Sequence, residues 1–277
     1  MIVDAHFHSW RLDRGDYGWL TPALAPIYRD VAIADWRLQS QPCGVTAGVL
    51  VQAAPTEAET AWLLAEAKGE DSVLAVVGWA DLLAADVAAR ITALALQPKL
   101  RGLRPMLHDI ADPDWILQPA LAPALQAMER AGLVFEALVK PQHLPRVAEL
   151  ARRHTGLVIV VDHAAKPDIA QAQWQPWADD LALVAAHPNV VCKLSGLLTE
   201  AGPAPRADAA RRWALHVLAA FAPQRVLWGS DWPVLELAAG YDAWWQETQS
   251  LLAAFAPEQR KAVLGGNALR VYGPRTP

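Results

Sequence analysis

The sequence predicts an α/β protein of the (β/α)8 TIM-barrel class, a single domain over residues 1–277. Three observations carry that expectation. Eight short apolar runs rich in β-branched residues read as strands, helical stretches alternate with them at intervals of about thirty residues, and no linker, low-complexity tract or repeat divides the chain. Such alternation implies parallel βαβ units, and eight units in about 250 residues is the arithmetic of a closed barrel. A hydrophobic share of 53% suffices for a core of that size.

The strands are expected at residues 2–6, 46–52, 73–79, 100–104, 133–139, 157–163, 190–194 and 225–229. The first clear helix is expected at 56–68, where Thr56 and Glu59 have the spacing of a capping box. Further helices are expected at 86–96 and at 119–131, the latter closed by Gly132 in the position just past a helix end. Stretches 144–154, 177–186, 207–221 and 241–255 complete the alternation, and 257–264 adds a short terminal helix. One interval is irregular: residues 9–45 carry Arg11, Asp13, Asp16, Tyr17, Trp19 and several prolines before the second strand. A βα loop of that length is expected to cover the pocket.

Charged residues make up 19% of the chain and the formal net charge is -5, which excludes the basic footprint of a nucleic-acid binder. Two cysteines, Cys43 in a loop-like stretch and Cys192 in an apolar run, have neither metal nor redox spacing, as expected in a reducing cytoplasm. The N-terminus lacks the pattern of a secretory signal, and no apolar run reaches the roughly 18 residues of a membrane span. The expectation is a soluble cytoplasmic protein with a small-molecule ligand and no nucleic-acid or membrane partner; the subunit number is left open. A few of the thirteen tryptophans are expected to supply flat apolar pocket walls.

In a barrel, the active site lies at the C-terminal strand ends, so polar residues there carry weight. Strand one ends in His6 and His8, which share a face because alternate strand residues do, and which can together hold a cation or offer two hydrogen-bonding groups to a ligand. Strand two ends in Gln52, strand four in Arg104, strand six in Asp162 and His163, strand seven in Lys193 and Ser195, and strand eight runs into Ser230 and Asp231. Asp231 follows an apolar strand and precedes Trp232 and Pro233. A carboxylate so placed coordinates metal, accepts a proton or is held by a basic neighbour, unless it only caps a turn. His163 is a pocket group or a satisfied core histidine. Asp162, of opposite parity, reads as structural.

Taken together, Asp4-Ala5-His6-Phe7-His8, Lys99 to Arg104, Asp162-His163-Ala164-Ala165-Lys166-Pro167, Cys192-Lys193-Leu194-Ser195-Gly196 and Gly229-Ser230-Asp231-Trp232-Pro233 occur in order. The chain resembles the amidohydrolase superfamily, in its branch of sugar-acid lactonases. The likeness covers nearly the whole chain, including Gly78 to Leu82 and the terminal Gly265-Gly266-Asn267-Ala268.

The resemblance implies an enzyme that opens a sugar-derived lactone to the sugar acid. It implies Asp231 as the base that activates water and His163 as the group that polarises the carbonyl. It further implies one divalent metal, zinc by preference, on His6, His8 and Asp231, or a metal-free variant in which the two histidines donate hydrogen bonds. Strand five has no histidine where many members place a metal ligand; Glu136 stands there as an oxygen ligand or a pocket acid. No organic cofactor is expected. Arg104 and Lys166 are candidates for the ring oxygens and the product carboxylate, and Gln52, Lys193, Trp10, Trp19 and Trp232 for the walls. Decarboxylases of aromatic acids share the barrel, the His-x-His pair and the strand-eight aspartate; a lactone isomerase is a further alternative, because a site that activates a lactone carbonyl could deliver a substrate hydroxyl instead of water; and a small-molecule binding protein is the non-enzymatic alternative. The missing strand-five histidine speaks against the decarboxylase, and the presence of Asp231 with both histidines speaks against mere binding.

Overall fold

The computed structural model describes residues 1–206 and 208–274. Eight strands, β1 (Val3–Phe7), β2 (Ala47–Val51), β3 (Val73–Gly78), β4 (Leu100–Leu103), β5 (Val134–Ala137), β6 (Ile159–Val161), β7 (Val190–Leu194) and β8 (Val226–Trp228), form one parallel sheet in chain order. Every strand residue but one is buried, as expected of strands covered on both faces, which is why they read as apolar runs in the sequence. Most are shorter than their apolar runs.

Helices α1 (Ile33–Ser40), α2 (Glu57–Glu66), α3 (Val87–Ala95), α4 (Ala122–Arg130), α5 (Leu144–Arg153), α6 (Trp177–Ala185), α7 (Arg211–Phe221) and α8 (Tyr241–Leu252) surround the sheet, and α9 (Pro257–Lys261) and α10 (Asn267–Tyr272) end the fold. Two of these lie outside the expected set: α1, inside the long first loop, and α10, after the glycine pair. The expected start of the seventh helix at Ala207 lies outside the described residues. Gly132 adopts φ +62, the left-handed geometry expected past a helix end. At Thr56 only half of the capping box forms: Thr56 Oγ1 accepts from the Glu59 amide at 3.0 Å. The Glu59 carboxylate reaches instead to the amides of Ala53 at 3.0 Å and Ala54 at 2.7 Å, tying α2 to the upper end of β2.

Two apolar cores result. One lies between sheet and helices; the other fills the barrel lumen with Ala5, Val49, Val77, Val160, Val191 and Leu227, closed below by Ala268 and Tyr272 of α10. Register shifts between Asp4 and Phe7 where β1 pairs with β2. That irregularity breaks the strict alternation of the pleat. Asp4 therefore points outward, to Trp36 Nε1 at 2.9 Å and Tyr241 Oη at 3.0 Å, while His6, two residues later, points into the lumen.

The sheet closes through an extension of β8. Asp231 donates its amide to His6 O and His8 donates its amide to Trp232 O, both at 2.8 Å. The buried Asp4 carboxylate locks this seam by accepting from the Ser230 amide at 2.8 Å and the Ser230 hydroxyl at 2.6 Å. Removing the carboxylate orphans the Trp36, Tyr241 and Ser230 donors together, so Asp4→Ala should lose about 3 kcal/mol in urea unfolding, and a loss below about 1 kcal/mol would contradict the assignment. Burial pushes Glu59 up to about 7 from 4.5, against the pull of the Ala54 and Ala53 amides. Folded Glu59 thus holds its proton more tightly than the unfolded chain, so its contribution to stability is greatest at low pH and shrinks as pH rises from about 4.5 to about 7. Thermal melts of Glu59→Gln should lose this component of the pH dependence; curves parallel to wild type would count against it.

Candidate active site

Three imidazoles surround one carboxylate at the barrel mouth. Asp231 Oδ1 lies 3.3 Å from His8 Nε2, 3.6 Å from His6 Nε2 and 3.7 Å from His163 Nε2. His6 Nε2 and His8 Nε2 are 3.2 Å apart. His8 Nδ1 donates to Val51 O at 2.8 Å, because a carbonyl only accepts, and its Nε2 faces Asp231. His163 Nδ1 pairs with the Ser195 hydroxyl at 2.9 Å, which likewise leaves its Nε2 on the site.

Unusual backbone aims these groups. His163, Ala164, Ala165 and Lys166 all have positive φ, between 49° and 61°, and Asp231 has φ 61°. Left-handed geometry costs about 1–2 kcal/mol per non-glycine residue, and it persists where packing over-determines it. Here the Trp177 indole donates to Ala164 O at 2.7 Å, and Ala164 and Ala165 are wholly buried. Two glycines admit the rings: a Cβ on Gly196 would lie 2.6 Å from His163 Nδ1, and one on Gly229 would lie 3.0 Å from His6 Cβ.

Electrostatics follow from burial and neighbours. Burial would raise Asp231, but His163, His8 and His6 outweigh it and hold its carboxyl well below the usual range. Burial lowers His163 to about 4, and burial together with the Lys193 charge lowers His6 strongly. At neutral pH the site holds an ionised Asp231 carboxylate beside the neutral rings of His6 and His163.

Beneath it lies a polar network. Arg104 spans Gln52 and Asp162: its Nη2 bonds the Gln52 backbone carbonyl and Gln52 Oε1, the latter at 2.9 Å, and its Nη1 reaches Asp162 Oδ2 at 3.2 Å. Lys193 pairs with Glu136 at 2.7 Å and Asp162 at 3.1 Å, and the Tyr272 hydroxyl donates to the other Glu136 oxygen. These placements correct several expectations. Glu136 is engaged by Lys193 and Tyr272 and is no ligand beside Asp231. Lys193 is fully buried and does not line the pocket. Gln52 is taken up by Arg104, the Trp10 indole bonds Arg29 O at 2.8 Å, and the Trp232 indole bonds Glu236 at 2.8 Å, so none of these three forms a wall. Asp162, read as structural, is the shared anion of the network.

The pocket above Asp231 measures about 320 Å³. Trp19, Leu24, Val234 and Leu237 line one part of it; Arg104, His108, Lys166 and Glu200 line another. Trp19 comes from the long first loop and is fixed by its indole bond to Ala53 O at 2.8 Å. Lys166 lines the pocket in an ion pair with Glu200. Sequence reasoning missed His108, Glu200 and Leu24, which lie in loops without strand-end position; only the Pro-rich length of the first loop hinted at a cover.

Residues 3–273 match the sequence profile of the amidohydrolase family. The chain belongs to that family. An L-fucono-1,5-lactonase of Burkholderia ambifaria is 45% identical over 274 residues, spanning 98% of this chain and 94% of that protein. An L-fucono-1,5-lactonase of Burkholderia multivorans is 36% identical over 293 residues, spanning 98% and 95%. A crystal structure of a Burkholderia multivorans amidohydrolase with bound zinc matches with a TM-score of 0.93 at 35% identity, over 99% of this chain and 100% of that one.

The donor set of this amidohydrolase fits such an ion. Zn–N and Zn–O bonds of about 2.0–2.2 Å at tetrahedral angles separate ligand atoms by roughly 3.3 Å. The His6, His8 and Asp231 donor atoms stand 3.2, 3.3 and 3.6 Å apart. His6, His163 and Asp231 also group as one buried cluster. Because the ring of His163 rests against the bare Gly196, Gly196→Ala should lower kcat at least about tenfold while the circular-dichroism spectrum stays native, through displacement of that ring and strain at φ +63. Unchanged kcat would show that His163 needs no such placement.

Proposed function

We propose that this amidohydrolase hydrolyses a sugar-derived lactone, a 1,5-lactone of an aldonic acid, to the open acid. The observation that carries the reading is the Asp231 carboxylate ringed by three imidazole Nε2 atoms in a pocket lined both by apolar side chains and by Arg104 and the Lys166–Glu200 pair. The activity named for its 45% and 36% identical relatives supports the same reading. The barrel acts as one domain, and two free cysteines suit a reducing, cytoplasmic setting; among the described residues, no helix is long and apolar enough to cross a membrane.

Asp231, His6 and His8 are the residues that would hold one zinc ion. When bound, such an ion lowers the pKa of a coordinated water to about 7 and polarises a carbonyl oxygen. That fits the electrostatics of Asp231. A carboxylate held this far down is a weak base on its own, so the water it deprotonates must be acidified by a neighbour.

The chain's own groups then act in sequence. Asp231 takes the proton as the water oxygen adds to the lactone carbonyl carbon. His163, neutral and with Nδ1 facing the Ser195 hydroxyl, can present Nε2–H to the carbonyl oxygen as it gains charge; one aimed donor of this kind is worth about 3 kcal/mol. Arg104, held at both ends of its guanidinium, adds a fixed positive charge to the pocket. When the ring C–O bond breaks, the proton on Asp231 passes to the leaving alkoxide and the carboxylate base is restored. Lys166 is placed to meet the product carboxylate, and Trp19, Leu24, Val234 and Leu237 to pack on the C–H face of the sugar.

A weakly buffered indicator assay across aldono-1,5- and 1,4-lactones tests this. Wild type should release acid, chelation should remove the activity and zinc restore it, and Asp231→Asn should lower kcat/KM by about 10²- to 10⁴-fold with an unchanged melting temperature. No acid release from any lactone would overturn the substrate class; full activity after chelation would overturn the zinc.

A further inference from the structure

The lumen holds a second group of metal-capable side chains below the first. His6, Glu136 and Asp162, all buried, bring one donor atom each within 4.8 Å of one another. His6 belongs to both groups, through Nε2 above and Nδ1 below. Each donor of the lower group converges on the Lys193 ammonium: Glu136 Oε2 at 2.7 Å, Asp162 Oδ1 at 3.1 Å and His6 Nδ1 at 3.1 Å. The ammonium hydrogen-bonds Glu136 Oε2 and stands in ion-pair contact with Asp162 Oδ1; His6 Nδ1, itself 3.6 Å from Asp162 Oδ1, keeps its hydrogen on this side when Nε2 turns a lone pair to the upper site.

The other oxygens are committed as well. Glu136 Oε1 accepts from the Tyr272 hydroxyl, and Asp162 Oδ2 accepts from Arg104 Nη1 at 3.2 Å, with Arg104 Nη1 also 3.4 Å from His6 Nε2. The Tyr272 ring lies 5.6 Å from the ammonium. Two carboxylates thus face two fixed cations, and Asp162 Oδ1, the oxygen here that accepts no hydrogen bond, lies 3.1 Å from the ammonium itself, where an incoming cation would meet that charge. A divalent ion entering here would meet an ammonium that has no solvent to retreat into, since Lys193 is wholly buried.

We propose that Lys193 is a positioning residue that serves as the built-in second cation of this barrel, closing the lower donor cluster to a divalent ion and holding His6 beneath Asp231. The inference rests on the zinc reading only for the upper ion, and its test is a difference in stoichiometry between two proteins.

Zinc binding is measured by equilibrium dialysis and metal analysis on full-length wild type, Lys193→Met and Lys193→Met/Glu136→Gln. Lys193→Met should bind one more zinc per chain than wild type, and the double variant should lose the extra ion. Because Lys193→Met leaves buried Glu136 without a counter-charge and Asp162 with Arg104 alone, it is also refolded and melted with and without zinc. Zinc should raise its melting temperature more than that of wild type, or be required for its recovery. Equal stoichiometry in wild type and Lys193→Met, two zinc ions in wild type, or a Lys193→Met protein that zinc neither binds nor rescues would overturn the proposal. A wild type that binds none beside a Lys193→Met protein that binds one would refute the upper zinc site and leave this inference standing.

Discussion

Closure of the sheet between β8 and β1 is the constraint on which the site depends. Two backbone hydrogen bonds of 2.8 Å join His6 to Asp231 and His8 to Trp232. They bring the metal-capable pair from the start of the chain beside the carboxylate near its end. Asp4 enforces the join from outside, accepting from both the amide and the hydroxyl of Ser230. The same carboxylate holds Trp36 of α1 and Tyr241 of α8, so one buried group links the long first loop, the last strand and the outer helix layer. Burial raises its pKa, and the donors from Ser230, Trp36 and His6 oppose that rise.

A second constraint is charge balance in a lumen that is otherwise apolar. Isolated charges are not tolerated there, so each is answered by a partner of opposite sign or by a hydrogen bond. Lys193 and Arg104 answer Glu136 and Asp162, and Tyr272 of α10 answers the last oxygen of Glu136. The terminal helix is therefore both the plug of the lumen and a partner of its charges. The network lies beneath His6, while the groups above it face the pocket.

Backbone strain collects at the same place. Four consecutive left-handed residues follow β6, and Asp231 follows β8 in the same geometry. Strain of this kind is held by its surroundings, here by the Trp177 bond to Ala164 O and by the glycine surfaces at Gly196 and Gly229. The result is that His163 and Asp231 turn across the barrel mouth instead of continuing along their strands.

The amino-acid sequence by itself determined the barrel, because strands buried on both faces must read as apolar runs and the helices between them carry their own end signals, Gly132 among them. It singled out His6, His8, His163 and Asp231, which the fold brings together at the barrel mouth, because polar side chains at strand ends are conspicuous against those runs. Tertiary structure alone decided which polar residues face the pocket. Gln52, Lys193 and Glu136 look alike in sequence to Arg104, yet the first three are consumed by buried partners, since a charge in the lumen must find its counter-charge across the barrel. It also decided the inward turn of His6, because a register shift between β1 and β2 reverses an alternation that strand period alone would have kept. Periodicity is local and visible along the chain; pairing across the lumen is set by closure, which only the folded barrel supplies.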